Sequence, residues 1–118
     1  MTLSPQAVAN EAVKAAEDKK AYDVTVLDIS GVSIIADYFI ICSGRSTTQV
    51  KAIAECIKEK LDESGLRPLH REGFREGKWV LLDYADVVIH VFLEAERQFY
   101  NLERLWGDAR VVGIPVNI

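Results

Sequence analysis

Several kinds of residue are scarce in this chain, and each scarcity argues against a class of protein. Only two cysteines occur, Cys42 and Cys56, and neither has a second metal ligand near it in the sequence. We therefore expect buried free thiols rather than a zinc site or a disulfide framework. No apolar run approaches the ~20 residues of a membrane-spanning helix. The N-terminus shows neither a signal pattern nor an Arg-rich transit pattern, so we expect a cytoplasmic protein.

An excess of positive charge is also lacking. The 118 residues include 14 Lys and Arg against 18 Asp and Glu, which gives a formal net charge of −4. Binding to phosphate backbones needs clustered Lys and Arg, so we expect no direct sequence-specific nucleic-acid binding and no membrane partner. A mildly acidic surface suits a basic protein partner instead. The length and a hydrophobic content of 49% predict one folded domain over 1–118.

The order of helical and strand patterns predicts a mixed α/β domain. Ser4 and Pro5 begin a helix that should run to about Lys20, and Ser46 begins a second helix with Gln49 in a capping box. Strands are predicted at 24–29, 38–42, 67–71, 78–83 and 87–92, followed by a last helix at 94–106 and an extended tail at 110–118. We expect a mixed sheet of about five strands packed with helices, including one parallel pair.

The segment Ser43-Gly44-Arg45-Ser46 joins a strand to a helix N-terminus, where free amides can hold an anion. The same order opens nucleotidyltransferase folds, which also need carboxylates at alternate strand positions to bind Mg²⁺. The nearby acidic pair, Asp83 and Asp86, is separated by a turn and does not share one face of a strand. We favour a helix cap here and name no catalytic residue, metal ligand or cofactor. A metal-dependent nucleotidyltransferase with Asp83 and Asp86 as ligands is the alternative.

The two histidines are predicted to be structural or exposed. His90 lies in an apolar strand on the same face as Val88 and Phe92, which is typical of a hydrogen-bonded core residue. A site shared with Asp86 would span roughly 13 Å along the strand, too far for direct proton exchange. His70 lies in a polar, charged stretch and is expected to face solvent.

The strand at 78–83 is apolar on both faces. Alternation places Trp79, Leu81 and Asp83 on one face, and the residues between them on the other with Tyr84. Helices on both sides of the sheet would explain this pattern. A partner covering the second face would explain it equally well, with Trp79 and Leu81 as apolar anchors and Asp83 as polar rim. Periodicity alone does not choose between the two.

Four blocks of sequence, at 37–44 (Asp-Tyr-Phe-Ile-Ile-Cys-Ser-Gly), 49–54, 70–73 and 79–92, are continued by Arg97 and the segment 99–106. Their order and spacing resemble the ribosomal silencing factor (Iojap) family over about 5–109 of this chain. The resemblance implies a nucleotidyltransferase-like fold that lacks the catalytic carboxylates. It leaves the tail at 110–118 without a family assignment.

A non-enzymatic translation regulator is what this resemblance implies. Family members bind the large ribosomal subunit through universal ribosomal protein fourteen, obstruct docking of the small subunit and lower translation when nutrients are scarce. Organelle relatives assist large-subunit biogenesis, which is a further alternative, and a homodimer that pairs its second sheet face is another. Carried over by position, the partner-facing residues are Trp79, Leu81, Asp83, Tyr84 and Asp86, extended on the last helix by Arg97 and Tyr100.

One position departs from the family pattern. Ala85 stands where many relatives carry Gly. Alanine fits most turn conformations but not one with positive φ. The direction in which Asp86 points therefore depends on the geometry of this turn.

Overall fold

The computed structural model describes residues 4–32, 34–100 and 110–111, with side chains described except at 98–100 and 110–111. These residues form three helices and six strands. The helices are α1 (Pro5–Asp18), α2 (Thr47–Glu63) and α3 (Glu94–Tyr100). The strands are β1 (Tyr22–Asp28), β2 (Tyr38–Gly44), β3 (His70–Glu72), β4 (Trp79–Asp83), β5 (Val87–Leu93) and β6 (Arg110–Val111).

The strands form one mixed sheet in the order β3-β4-β5-β2-β1-β6. Strands β2 and β5 are parallel, and the other neighbouring pairs are antiparallel. The predicted mixed α/β fold with one parallel pair is confirmed. The sixth strand, β6, has two residues and pairs with β1, where an extended tail was expected.

Strand β3 begins at His70, three positions later than the predicted start at Arg67. Pro68 has no backbone N–H to donate to a neighbouring strand, so it suits the segment that leads into the sheet. Strand β3 is the outer neighbour of β4, as expected for an edge strand. The predicted last helix begins at Glu94 and is described to Tyr100, and its remainder lies outside the described residues.

Gln49 links the end of α1 to the beginning of α2. The Ser46 hydroxyl accepts the Gln49 N–H at 3.1 Å, as the capping box predicts. The Gln49 side-chain oxygen accepts from the N–H of Arg45 at 2.6 Å rather than from that of Ser46. Its amide nitrogen donates to the carbonyls of Lys19 and Lys20, both at 3.2 Å. One side chain thus satisfies backbone groups just after the end of α1 and just before the beginning of α2.

The sheet has an apolar cluster on each face. The first cluster includes the buried side chains of α1 and α2 together with Val80 and Leu82 of β4. The second cluster contains no residue of α1 or α2 among those described, and Trp79 and Leu81 pack against it half-buried. Its buried members are Leu27, Ile29, Ala36, Phe39, Ile41, Val88 and Phe92. Both described long helices therefore cover the same face.

Both cysteines are free, as predicted. Cys42 is buried, and burial raises the pKa of its thiol to about 12, which keeps it protonated. Cys56 is half-buried rather than buried, because it lies at the margin of the apolar face of α2. Across the described ranges, every helix is too short or too polar to cross a membrane.

Candidate docking site

Three hydrogen bonds within the turn between β4 and β5 fix its conformation, one to a side chain and two between backbone groups. The Asp83 carboxylate accepts the Ala85 N–H at 2.8 Å, as in an Asx-turn. The Tyr84 N–H donates to the Val87 carbonyl at 2.9 Å, and the Asp86 N–H donates to the Tyr84 carbonyl at 3.0 Å. Ala85 adopts φ +72°, the left-handed conformation that favours glycine. The family-typical glycine thus corresponds to a position with positive φ in this chain.

The same turn is fixed to the beginning of β2. The Asp86 carbonyl accepts two N–H groups, from Asp37 at 2.8 Å and from Tyr38 at 3.0 Å. The Asp86 residue itself is exposed, and Asp83 is half-buried. The structure therefore presents an exposed carboxylate on backbone that is fixed at one end of the sheet.

Trp79 is held by a hydrogen bond to the buried His90. The indole N–H donates to Nδ1 of His90 at 3.1 Å, and the indole ring stacks on Phe92 with ring centroids 4.9 Å apart. His90 is 4% exposed, and this burial lowers its pKa to about 4. The imidazole is neutral at physiological pH, and its proton lies on Nε2 because Nδ1 accepts. The prediction of a hydrogen-bonded core histidine is confirmed.

Three of the predicted site residues lie along one face of β4. Trp79, Leu81 and Asp83 pair across to Phe92, His90 and Val88 of β5, and all three are half-buried. Trp79 is at the beginning of β4, and Asp83 is at its end. The pattern of alternation is as predicted, and it forms a stripe that runs from an aromatic end to an acidic end.

Tyr84 lies on the opposite side of the sheet from Trp79. It packs, half-buried, against the cluster that contains the α1 and α2 side chains. Burial, with a smaller contribution from the nearby Asp62 carboxylate of α2, raises its pKa to about 12. The structure gives Tyr84 a packing role between sheet and helix, and its predicted contact with a partner stays untested.

Arg97 lies at the other end of the molecule from the acidic turn. Its guanidinium donates to the Asp23 carbonyl, to the Ser43 hydroxyl at 2.9 Å and to the Thr25 hydroxyl at 3.2 Å. Ser43 is near the end of β2, whereas the acidic turn contacts the beginning of that strand. Arg97 therefore ties α3 to β1 and β2 and is not adjacent to Asp86. The side chain of Tyr100 is outside the described set.

The strand–loop–helix segment behaves as a helix cap. Two amides that an anion would need, those of Arg45 and Gln49, already donate within the chain. An open cleft of about 470 Å³ lies beside the segment, lined by Arg45, Leu93, Glu94 and Ala95. The Arg45 guanidinium lies over the ring of Tyr22, 4.4 Å from its centroid. Within the described ranges, no three His, Cys, Asp or Glu residues are grouped as metal ligands would be.

Sequence reasoning missed one feature near the acidic turn. The loop between β1 and β2 and the residue before β3 expose large apolar side chains, namely Val32, Ile34, Ile35 and Leu69. The signal was present as a Val-Ser-Ile-Ile run between Gly31 and Asp37. Such a run has no strand-like alternation, so its pattern does not indicate whether it is buried or exposed.

Comparison with known proteins identifies the relatives of this chain. The family model described as "Ribosomal silencing factor during starvation" matches residues 2–117. The chain is 50% identical to ribosomal silencing factor RsfS of Bacillus subtilis, over 91% of each protein. It is 37% identical to the chloroplastic protein Iojap of Arabidopsis thaliana, over 92% of this chain and 45% of that protein.

Two solved structures share the fold. A crystal structure of a Chromobacterium violaceum protein superposes with a TM-score of 0.87 at 37% identity, covering 98% of this chain and 95% of that one. A crystal structure from Bacillus halodurans superposes with a TM-score of 0.78 at 45% identity, covering 87% and 93%.

Proposed function

This chain belongs to the ribosomal silencing factor family, and we propose from that membership that it is a non-enzymatic regulator which lowers translation. In this proposal it acts in the cytoplasm, binds the large ribosomal subunit through universal ribosomal protein fourteen, and sterically blocks the small subunit. It does so chiefly under nutrient limitation.

The observation that supports a docking role is the stripe along β4, which has a half-buried tryptophan at one end and the acidic turn at the other. Asp86 is exposed on backbone that two hydrogen bonds hold at the end of the sheet. Trp79 has its ring fixed by stacking and by the bond to His90. A rigid surface loses little conformational entropy on binding, and its carboxylates complement the Lys and Arg of a basic protein.

The turn is less well suited to the alternative, a metal-dependent nucleotidyltransferase. One oxygen of Asp83 already accepts the Ala85 N–H at 2.8 Å, and a catalytic Mg²⁺ ligand needs its lone pairs directed at the metal. Asp83 ends β4 and Asp86 precedes β5, so the two carboxylates do not alternate along one strand. Calorimetric titration with Mg²⁺ and nucleoside triphosphates tests this directly. Millimolar or tighter binding that Asp83→Asn abolishes would favour the enzyme.

Large-subunit biogenesis is the second candidate, because the chain is also similar to the chloroplastic Iojap proteins. The two functions differ in their timing. A silencing factor acts on mature subunits, whereas a biogenesis factor acts on immature ones. Adding the purified protein to mature large and small subunits and measuring joined ribosomes on a sucrose gradient separates them. Silencing predicts fewer joined ribosomes, and unchanged joining would contradict it.

A matched pair of charge reversals locates the surface. Asp86 and Glu59 are both exposed acidic residues. Glu59 lies on α2, which packs on the face of the sheet opposite to Trp79 and Leu81. We expect Asp86→Lys to weaken co-sedimentation with isolated large subunits at least tenfold, and Glu59→Lys to have little effect. Both variants change the net charge equally, so a general electrostatic effect would weaken both. If the two variants bind large subunits equally well, the interface does not include Asp86.

A further inference from the structure

The large apolar side chains that are exposed in the described chain gather at one end of the sheet. Ile34 is 105% exposed, Ile35 and Leu69 are each 65% exposed, and Val32 is 44% exposed. Scattered single apolar residues are ordinary on a protein surface, whereas a group of them marks an interaction site more often. Here, four such residues come from two segments that are distant in sequence.

Backbone hydrogen bonds bring these segments to the acidic turn. The loop 29–37 joins β1 to β2 and is closed by the Ile29 N–H, which donates to the Asp37 carbonyl at 2.9 Å. The Asp37 N–H in turn donates to the Asp86 carbonyl at 2.8 Å. On the other side, the Leu69 N–H donates to the Asp83 carbonyl at 2.7 Å. The loop, the acidic turn and Leu69 therefore lie side by side across the sheet end.

We propose that this sheet-end strip, defined as Val32, Ile34, Ile35 and Leu69 with Asp37, Asp83 and Asp86, is a docking surface for a basic protein. Its partner presents an apolar patch rimmed by Lys and Arg. The inference rests on the proposed function and adds to it, because none of the four apolar residues is among the family-derived site positions. It also moves the centre of the interface to the beginning of β2 and β5, away from Arg97.

The charge of the strip selects the class of partner. Its three carboxylates flank the apolar residues, and two exposed cations, Arg67 and Arg71, lie on either side of Leu69 in the chain, so acidic groups outnumber basic ones at the strip. A second copy of this chain would bring carboxylates against carboxylates, which opposes self-association. Phosphate backbones are repelled for the same reason. A protein with basic residues around an apolar centre satisfies both parts of the strip.

Substitution of the apolar residues tests the strip without disturbing the fold. Ile34 is fully exposed, so Ile34→Ser removes no core packing, and Leu69→Ser removes little. The matched control is Ala52→Ser, an exposed position on α2. Purified large ribosomal subunits are the probe, and bound protein is quantified after sedimentation through a series of salt concentrations. The double variant Ile34→Ser with Leu69→Ser is expected to bind at least tenfold more weakly, because two side chains that the partner would cover no longer contribute apolar area.

Salt dependence separates the apolar from the acidic part of the strip. Screening weakens attraction between exposed charges. Asp86→Lys should therefore flatten the decline of binding with salt, whereas Ile34→Ser should lower affinity at every salt concentration and leave that decline unchanged. Serine variants that bind like wild type would overturn the inference while leaving the proposed function in place.

Two further outcomes concern the proposed function itself and the choice of partner. Failure of the wild-type protein to bind large subunits at any salt concentration would overturn the proposed function as well. Light scattering of the free protein decides the question of self-association. A wild-type dimer that becomes a monomer on Ile34→Ser would assign the strip to a second copy of the chain and would overturn the inference.

Discussion

Replacing Ala85 by glycine should stabilise this protein, although glycine usually destabilises a folded chain. Ala85 has φ +72° in the turn between β4 and β5, and its side chain is exposed. An L-residue with a Cβ loses roughly 1–2 kcal/mol in the left-handed conformation, and glycine does not. The substitution keeps the backbone N–H that donates to Asp83. The turn therefore loses strain and no hydrogen bond.

The size of the gain follows from two opposing terms. Relief of the strain contributes about 1–2 kcal/mol. The greater freedom of glycine in the unfolded chain removes roughly 0.5–1 kcal/mol of that gain. A net increase of about 0.5–1 kcal/mol in the free energy of unfolding remains. With an unfolding entropy of about 2.1 cal/mol/K per residue, that increase raises the Tm of this 118-residue chain by about 2–4 °C.

Urea denaturation followed by circular dichroism measures this change, and Ala52→Gly is its control. Ala52 is also exposed, but it lies within α2, where glycine costs about 1 kcal/mol. The same chemical substitution should therefore move the urea midpoint upward at one position and downward at the other. If Ala85→Gly lowers the midpoint as Ala52→Gly does, the positive φ is not what governs stability at this turn.

Two further predictions concern the surroundings of Trp79. A Cβ added at Gly73, which has φ +87°, would lie 1.9 Å from the Trp79 carbonyl oxygen. Gly73→Ala should therefore lower the free energy of unfolding, measured by urea denaturation, by at least about 2–3 kcal/mol. An unchanged free energy of unfolding would contradict that close approach. The second follows from His90, whose folded pKa of about 4 lies below its ordinary value of 6.5. Because the unfolded state binds the proton first, this histidine lowers stability progressively as pH falls from about 6.5 to 4, by about 3 kcal/mol in all. His90→Gln should make the pH dependence of the urea midpoint shallower in that interval.

Local physics explains what the sequence predicted well. The caps at Ser4 and Ser46 depend on side chains that reach amides three residues ahead, at 3.1 Å in both helices. The alternation of Trp79, Leu81 and Asp83 follows from the two-residue period of a strand. The positive φ of Ala85 agrees with the glycine that the family resemblance implies at this position. Each of these depends on neighbours in the chain.

Sequence reasoning did not reveal contacts between residues that are distant in the chain. The Gln49 side chain donates to the carbonyls of Lys19 and Lys20, which lie 30 and 29 positions earlier in the chain, and the capping-box pattern does not include such partners. Arg97 lies on the last helix, but its guanidinium contacts Ser43 and Thr25 in the sheet. The apolar run around Ile34 has no helical or strand period, so the sequence does not indicate that these side chains are exposed. The position of this loop beside the acidic turn follows only from the order of the strands in the sheet.

In the acidic turn, both aspartates take part in hydrogen bonds that fix the backbone. Asp83 uses one oxygen to hold the Ala85 N–H, and the Asp86 carbonyl accepts two N–H groups from the start of β2. Both acids therefore help to fix the turn, and a rigid turn favours docking because little entropy is lost on binding. The same fixation works against metal catalysis, in which carboxylate oxygens must converge on the ion. In the proposed docking role, the rigidity of this surface follows from backbone-fixing hydrogen bonds that join five residues, namely Asp83, Ala85, Asp86, Asp37 and Tyr38.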